Sequence, residues 1–299
     1  MLVGLGAFLF RAGFINAEIR RGLDWFTYWV ALPSLFISSL SGTDFAALQV
    51  GDLVAVMALA GLGTTVLAIL VAAVLRVKRR KFGVFVQAGF RGNMVFVGLP
   101  LIIFAMEARR SGADEVVAGS LVAVAAMVPL YNLISVMALV IAEHRFDLSV
   151  MPKLLAQLVK NPLIISALVG GGLGWLGWGL PVVVDRPFDL LGQTAVALAL
   201  VSIGGALVEL EIRGHVGQAL IAGVFKVTVM PLVTYALCVA FALRPEWTLV
   251  AMIFAACPTA TASFILTTQL GGDDAFAAAC VVVSTGLSLI SLAFVLTWF

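Results

Sequence analysis

The sequence predicts an all-α integral membrane protein of ten transmembrane helices, built as two inverted five-helix repeats with helices 4 and 9 interrupted. Three observations predict this. Hydrophobic residues make up 62% of the 299-residue chain and charged residues only 11%. The apolar residues fall into ten segments parted by short polar loops. Two sequence echoes recur about 160 residues apart, which is five segments.

A soluble domain carries roughly 45–50% apolar and about 25% charged residues. A mean hydropathy of +1.14 leaves too little polar surface to cover such a domain, and a bilayer removes that need. A net charge of +2, with no basic patch interleaved with aromatics, argues against nucleic acid as a partner. Cys238, Cys257 and Cys280 lie in apolar stretches with neither zinc-site nor disulfide spacing, and read as small buried hydrophobes. No metal site and no cofactor is expected. The N-terminus lacks the basic start and small-residue cleavage site of a signal peptide.

The segments run over 1–11, 24–42, 52–76, 83–107, 114–142, 161–179, 188–209, 216–243, 247–270 and 274–298. A span needs about 20 residues at about 1.5 Å each. Segment 1 is short, and reads as the tail of a longer helix or as a tilted or re-entrant piece. Loops after odd-numbered segments carry twelve Lys and Arg, and those after even-numbered segments carry four. Positive residues collect on the cytoplasmic side. The asymmetry therefore places both termini on the outer face of an inner (plasma) membrane.

The first echo is Arg21-Gly-Leu-Asp24 with Val30-Ala-Leu32, against Arg186-Pro-Phe-Asp189 with Val196-Ala-Leu198. The second is Gly112-Ala-Asp114 against Gly271-Gly-Asp273. A repeat unit with an odd number of spans is inverted in the membrane, a pattern of secondary transporters that bind substrate near the midplane. The repeats are assigned as 1–142 and 161–299, with 143–160 as a cytoplasmic connector.

Matching Gly/Pro interruptions in the two halves point to the binding site. Segment 4 contains Arg91-Gly92-Asn93 and then Gly98-Leu-Pro100. Segment 9 contains Cys257-Pro258-Thr259-Ala-Thr261-Ala-Ser263. Proline deletes an N–H and disturbs the preceding turn. The freed backbone cannot face lipid, and the N-terminal ends of the half-helices suit an anion. Asn93 needs a partner at this depth, which is either substrate or a neighbouring helix. Pro33, Pro129 and Pro231 read as kinks. Arg91 either attracts a carboxylate or caps a half-helix. Lys226, inside segment 8, either attracts an anion or bonds to backbone. Thr259, Thr261 and Ser263 offer hydroxyls to substrate or to sodium, or bond back within their helix. Gln193, Ser202, Tyr131 and Asn132 are pocket or interhelix groups. Asp273 and Asp274 are the deepest carboxylates, serving either ion coupling or the cap of helix 10. His144 and His215 fall in loops. The coupling ion, if there is one, stays open between proton and sodium.

Asn93-Met-Val-Phe-Val-Gly-Leu-Pro-Leu101 resembles the Asn-x-x-x-x-Gly-(Ile/Leu)-Pro-Leu motif of the auxin efflux carrier family. Asn161-Pro-Leu-Ile-Ile165, Gly271-Gly-Asp273 with Val283-Ser284-Thr285, and the stretch from Arg11 to Ser34 are similar to the family as well. The resemblance implies a scaffold of helices 1, 2, 6 and 7 and a transport domain of helices 3–5 and 8–10. It implies crossing of helices 4 and 9, elevator-type alternating access, and often a homodimer. Asn93 then corresponds to the substrate-contacting Asn, and Pro100 and Pro258 to the crossover prolines. The long loop of the plant members has no counterpart in Glu143 to Lys160.

The resulting expectation is a carrier for a small organic anion, mono- or dicarboxylate. An anion channel and a membrane substrate sensor use the same broken-helix site and are the competing readings. An enzyme is not expected, because no span holds paired Asp, a Ser–His pair or a His-rich cluster.

Overall fold

The computed structural model describes residues 2–45, 48–109, 113–143, 156, 159–209 and 216–299. Every long element among them is helical, with a single isolated β-bridge. Among the described residues, five helices are long and apolar enough to cross a membrane: Gly51–Val74, Ala113–Ala142, Val182–Glu209, Val216–Ala240 and Asp274–Trp298. Their outward residues are large and apolar. Val66, Leu232 and Ile290 are 56%, 68% and 73% exposed, so lipid rather than water is the solvent they fit. The chain forms two compact units. His144, His215 and most of the 143–160 connector lie outside the described residues.

The first unit comprises Met1–Val50, Val95–Ala125 and Pro152–Glu209. Its helices are α1 (Leu2–Arg11), α2 (Ala17–Phe26), α3 (Leu32–Ser41), α6 (Leu99–Arg109), α8 (Pro162–Trp175) and α9 (Val182–Glu209). A π turn over Thr27–Ala31 joins α2 to α3 into one rod. Pro33, expected as a kink, follows this turn at the start of α3. Leu32 N–H reaches back five residues to Thr27 O, and the widened turn makes room for the proline ring.

The second span was expected to begin at Asp24, but its helix begins at Ala17. Asn16 caps it by accepting from Ile19 N–H at 2.8 Å. Arg20 bonds Asp24 at 2.7 Å and Glu209 of α9 at 2.6 Å. Polar residues therefore sustain this first stretch, where hydropathy gives no signal. Asp24 also accepts from Ser202 of α9. The seventh span likewise begins early, at Val182 rather than 188, because Val184 and Asp185 N–H close the first turn onto Pro181 O.

Small residues set the packing of this unit. A Cβ at Gly6 of α1 would lie 2.0 Å from Val201 O, and one at Gly204 of α9 would lie 2.1 Å from Val3 O. The two backbones are in contact there, as small-residue seams allow in membranes.

The second unit comprises Gly51–Met94, Ala126–Met151 and Leu210–Phe299. It holds α4 (Gly51–Val74), α5 (Arg79–Phe90), α10 (Val216–Ala240), α11 (Pro245–Ala256), α12 (Ala262–Leu270) and α13 (Asp274–Trp298), with the latter part of α7 (Ala113–Glu143). Residues 83–90 of α5 and 247–256 of α11 are buried on every side. A helix apolar all round belongs in an interior. Val84, Phe85 and Ala88 of α5 share a core with Ala219 and Ala222 of α10 and with Phe276, Ala279 and Cys280 of α13. Asp273 caps α13 by accepting from Phe276 N–H at 2.9 Å. All three cysteines are buried free thiols.

The glycine seam generates a prediction. Gly204→Val is expected to destabilise the protein by about 1–3 kcal/mol or more. A Cβ at Gly286 meets nothing within 4 Å, so Gly286→Ala is expected to stay within about 0.5 kcal/mol of the parent. Thermal unfolding in detergent compares the two, and equal midpoints would contradict the packing account.

Candidate functional site: the bridged helix ends

Helix α5 stops at Phe90 because Arg91 turns to extended backbone, with φ −77° and ψ 92°. Helix α11 stops at Ala256. Cys257, at φ −57° and ψ 148°, has the conformation a following proline imposes. The two extended stretches pair antiparallel, Gly92 opposite Thr259. Asn93 N–H donates to Pro258 O at 2.8 Å, and Ala260 N–H donates to Arg91 O at 2.9 Å. Each interruption thus satisfies backbone groups that the other has freed, as an apolar interior requires. A Cβ at Gly92 would lie 3.0 Å from Phe254 O and 3.5 Å from Lys226 Nζ. Glycine permits this close approach.

Side chains take the remaining carbonyls. Thr259 Oγ1 donates to Ala88 O at 2.9 Å, while its N–H donates to Ser284 Oγ at 3.0 Å. Lys226 Nζ donates to Ala255 O at 2.6 Å, and Ser291 Oγ to Ala256 O at 3.1 Å. Lys226, fully buried, therefore acts as a cation at the C-terminal end of α11, where the helix dipole favours positive charge. Gln87 Nε2 joins α5 to α12 through Ser263 O at 3.2 Å and Thr267 Oγ1 at 2.6 Å. Arg91 Nη2 donates to Asn132 Oδ1 of α7. Beside this group, Met57, Met94, Tyr131, Met230 and Phe254 line a narrow apolar crevice.

Several of the expected residues are brought together here. Arg91, Asn93, Pro258, Thr259 and Lys226 all lie at the bridge or cap its helix ends, and Asn93 is buried. Ser263 is buried in the first turn of α12, and Thr261 is exposed just before it. The other expected residues sit elsewhere. Gly98 closes a π turn over Met94–Gly98, and Pro100 follows it inside the helical run that begins at Met94, where the widened turn makes room for the proline ring. The first interruption is therefore made by Arg91-Gly92-Asn93 and not by Pro100. Asp273 is a helix cap, and Asp274 is exposed. Ser202 bonds Asp24, Gln193 bonds Asp189, and Tyr131 donates to Met57 O.

Sequence reasoning missed Gln87, Ser284 and Ser291 as parts of this arrangement. The signal for Gln87 was available, since it is an uncharged polar residue six positions before Asn93 in an apolar run. Nothing local marks the two serines, because helix α13 reaches the bridge only in the fold.

A polytopic membrane protein with two interrupted helices, bonded to each other at the interruptions, has the form of a membrane carrier. The comparisons agree. The family model described as "Membrane transport protein" matches residues 1–296, and the chain belongs to this family, the auxin efflux carriers. It is 26% identical over 282 residues to a protein of Rhizobium meliloti (strain 1021) named "Putative malonate transporter", covering 91% of this chain and 84% of that one.

The bridge generates a prediction. Thr259→Val keeps the shape and removes the donor to Ala88 O, leaving a buried carbonyl unsatisfied at an expected cost of about 1–3 kcal/mol. The exposed Thr268, bonded only to Phe264 O, is expected to tolerate Val within about 0.5 kcal/mol. Thermal unfolding in detergent distinguishes the two sites.

Proposed function

We propose that this protein is a secondary transporter that moves a small organic anion across the inner membrane by elevator-type alternating access. In this reading ten spans form two inverted repeats, with both termini on the outer face. The observation that carries the anion is electrostatic. Arg91 and Lys226 are buried beside the bridged helix ends, and among the described residues no carboxylate pairs with either. A buried cation with no counter-charge is costly, and an anionic substrate supplies the missing charge when it binds.

The helix lengths support the repeat. A helix of 24 residues and one of 12 precede the first interruption, and helices of 25 and 12 precede the second. In the same frame Asn93 stands where Thr259 stands in the other half. Asn93, Thr259 and Thr261 then offer polar groups to the substrate. Pro258 shapes the backbone around it, and Ser263 and Asp273 are the candidates for coupling to a proton or sodium ion. The name of the Rhizobium relative makes malonate the first acid to try.

The test is uptake and counterflow in proteoliposomes with malonate, malate, 2-oxoglutarate and indole-3-acetate. Saturable exchange of one acid is expected in the parent, falling about tenfold or more in Asn93→Ala. Flux that never saturates would indicate a channel. Folded protein that binds an acid without moving it would indicate a sensor. Asn93→Ala transporting at the parent rate and affinity would remove Asn93 from the site.

A further inference from the structure

We infer that Arg91 is the residue that receives the carboxylate of the transported acid, and that Asn132 is the positioning residue that aims its guanidinium. This rests on the transporter reading and names the group that does the recognition. Arg91 is 8% exposed, and its two terminal nitrogens have different fates. Nη2 is committed to Asn132 Oδ1 of α7. Nη1 is buried without any hydrogen-bond partner. An orphaned N–H on a buried cation carries the desolvation cost of a charge and the cost of an unmade charged hydrogen bond.

Asn132 supplies an acceptor but no charge, so it orients the fork without neutralising it. The backbone of Arg91 is fixed as well, because its carbonyl accepts from Ala260 N–H at 2.9 Å in the bridge. The guanidinium is therefore held from two sides, with one nitrogen left over. Planar, delocalised and permanently charged, it suits a carboxylate better than a lysine ammonium does. Lys226 differs in this respect, since its Nζ already donates to Ala255 O and an ammonium is a compact point charge without a planar fork. Arg91 instead holds a buried terminal nitrogen that has no partner.

Asn132→Asp tests this with an almost isosteric change, which places an internal carboxylate where Asn132 now meets Arg91. With malonate as the probe, the parent is expected to melt at a higher temperature in its presence, and its uncharged diamide is expected to give no such rise. In Asn132→Asp the unliganded protein is expected to melt above the parent, because Arg91 now has its counter-charge. The malonate-dependent rise is expected to vanish, and half-saturation for counterflow to increase about tenfold or more. Arg91→Gln is expected to lose the malonate response. Arg91→Lys is expected to restore it only in part, since the fork is gone.

A purely structural Arg91–Asn132 contact predicts otherwise: Asn132→Asp would leave the malonate-dependent rise and the half-saturation at parent values, which would overturn the assignment. A parent that transports malonate while showing no carboxylate-dependent rise would overturn it too. Failure of the transporter reading looks different. The malonate-dependent rise would be present in the parent and lost in Asn132→Asp, yet counterflow would be absent.

Discussion

Two backbone hydrogen bonds, Asn93 to Pro258 and Ala260 to Arg91, make it feasible for two helices to stop in an apolar interior. A helix end leaves up to four carbonyls or amides without partners, and hydrocarbon offers none. Pairing the two interruptions turns the problem of each into the solution of the other. What the bridge leaves open, side chains close: Thr259 serves Ala88, Lys226 serves Ala255 and Ser291 serves Ala256. Gly92 eases the approach, since a Cβ there would lie 3.0 Å from Phe254 O.

The bridge also explains where charge sits. Lys226 is held at a carbonyl end, where a helix dipole welcomes a cation, and Arg91 stands at the opposite interruption with its fork part-filled. The second unit therefore concentrates buried positive charge around one backbone crossing. The first unit handles charge differently. There Arg20 pairs with both Asp24 and Glu209 across α2 and α9, and glycines bring α1 and α9 into backbone contact. In the first unit the arginine is paired with carboxylates, whereas Arg91 and Lys226 of the second make no ion pair among the described residues.

Much of this was legible in the sequence. The apolar segments fall on the observed helices, because hydropathy reports burial in lipid or protein directly. Both interruptions were visible through Gly92, Pro258 and their polar neighbours. Their pairing was not, for a bridge between residues 167 positions apart leaves no local pattern. Pro100 drew attention as a breaker, yet it sits inside the helical run from Met94, just after a π turn that accommodates it. The start of α2 was hidden because Asn16, Arg20 and Asp24 sustain it with capping and ion pairing. Lys226 was ambiguous between substrate and backbone, and only the fold shows that its Nζ reaches Ala255 O.

Hydrogen exchange at single-residue resolution, on the full chain in nanodiscs, tests the bridge most directly. The amides of Asn93 and Ala260 are predicted to exchange as slowly as those in the middle of α10 and α13, although neither lies in a helix. Exchange at the rate of the loop between α10 and α11 would mean that the helix ends are not bonded to each other, and the account of the site would fall with them.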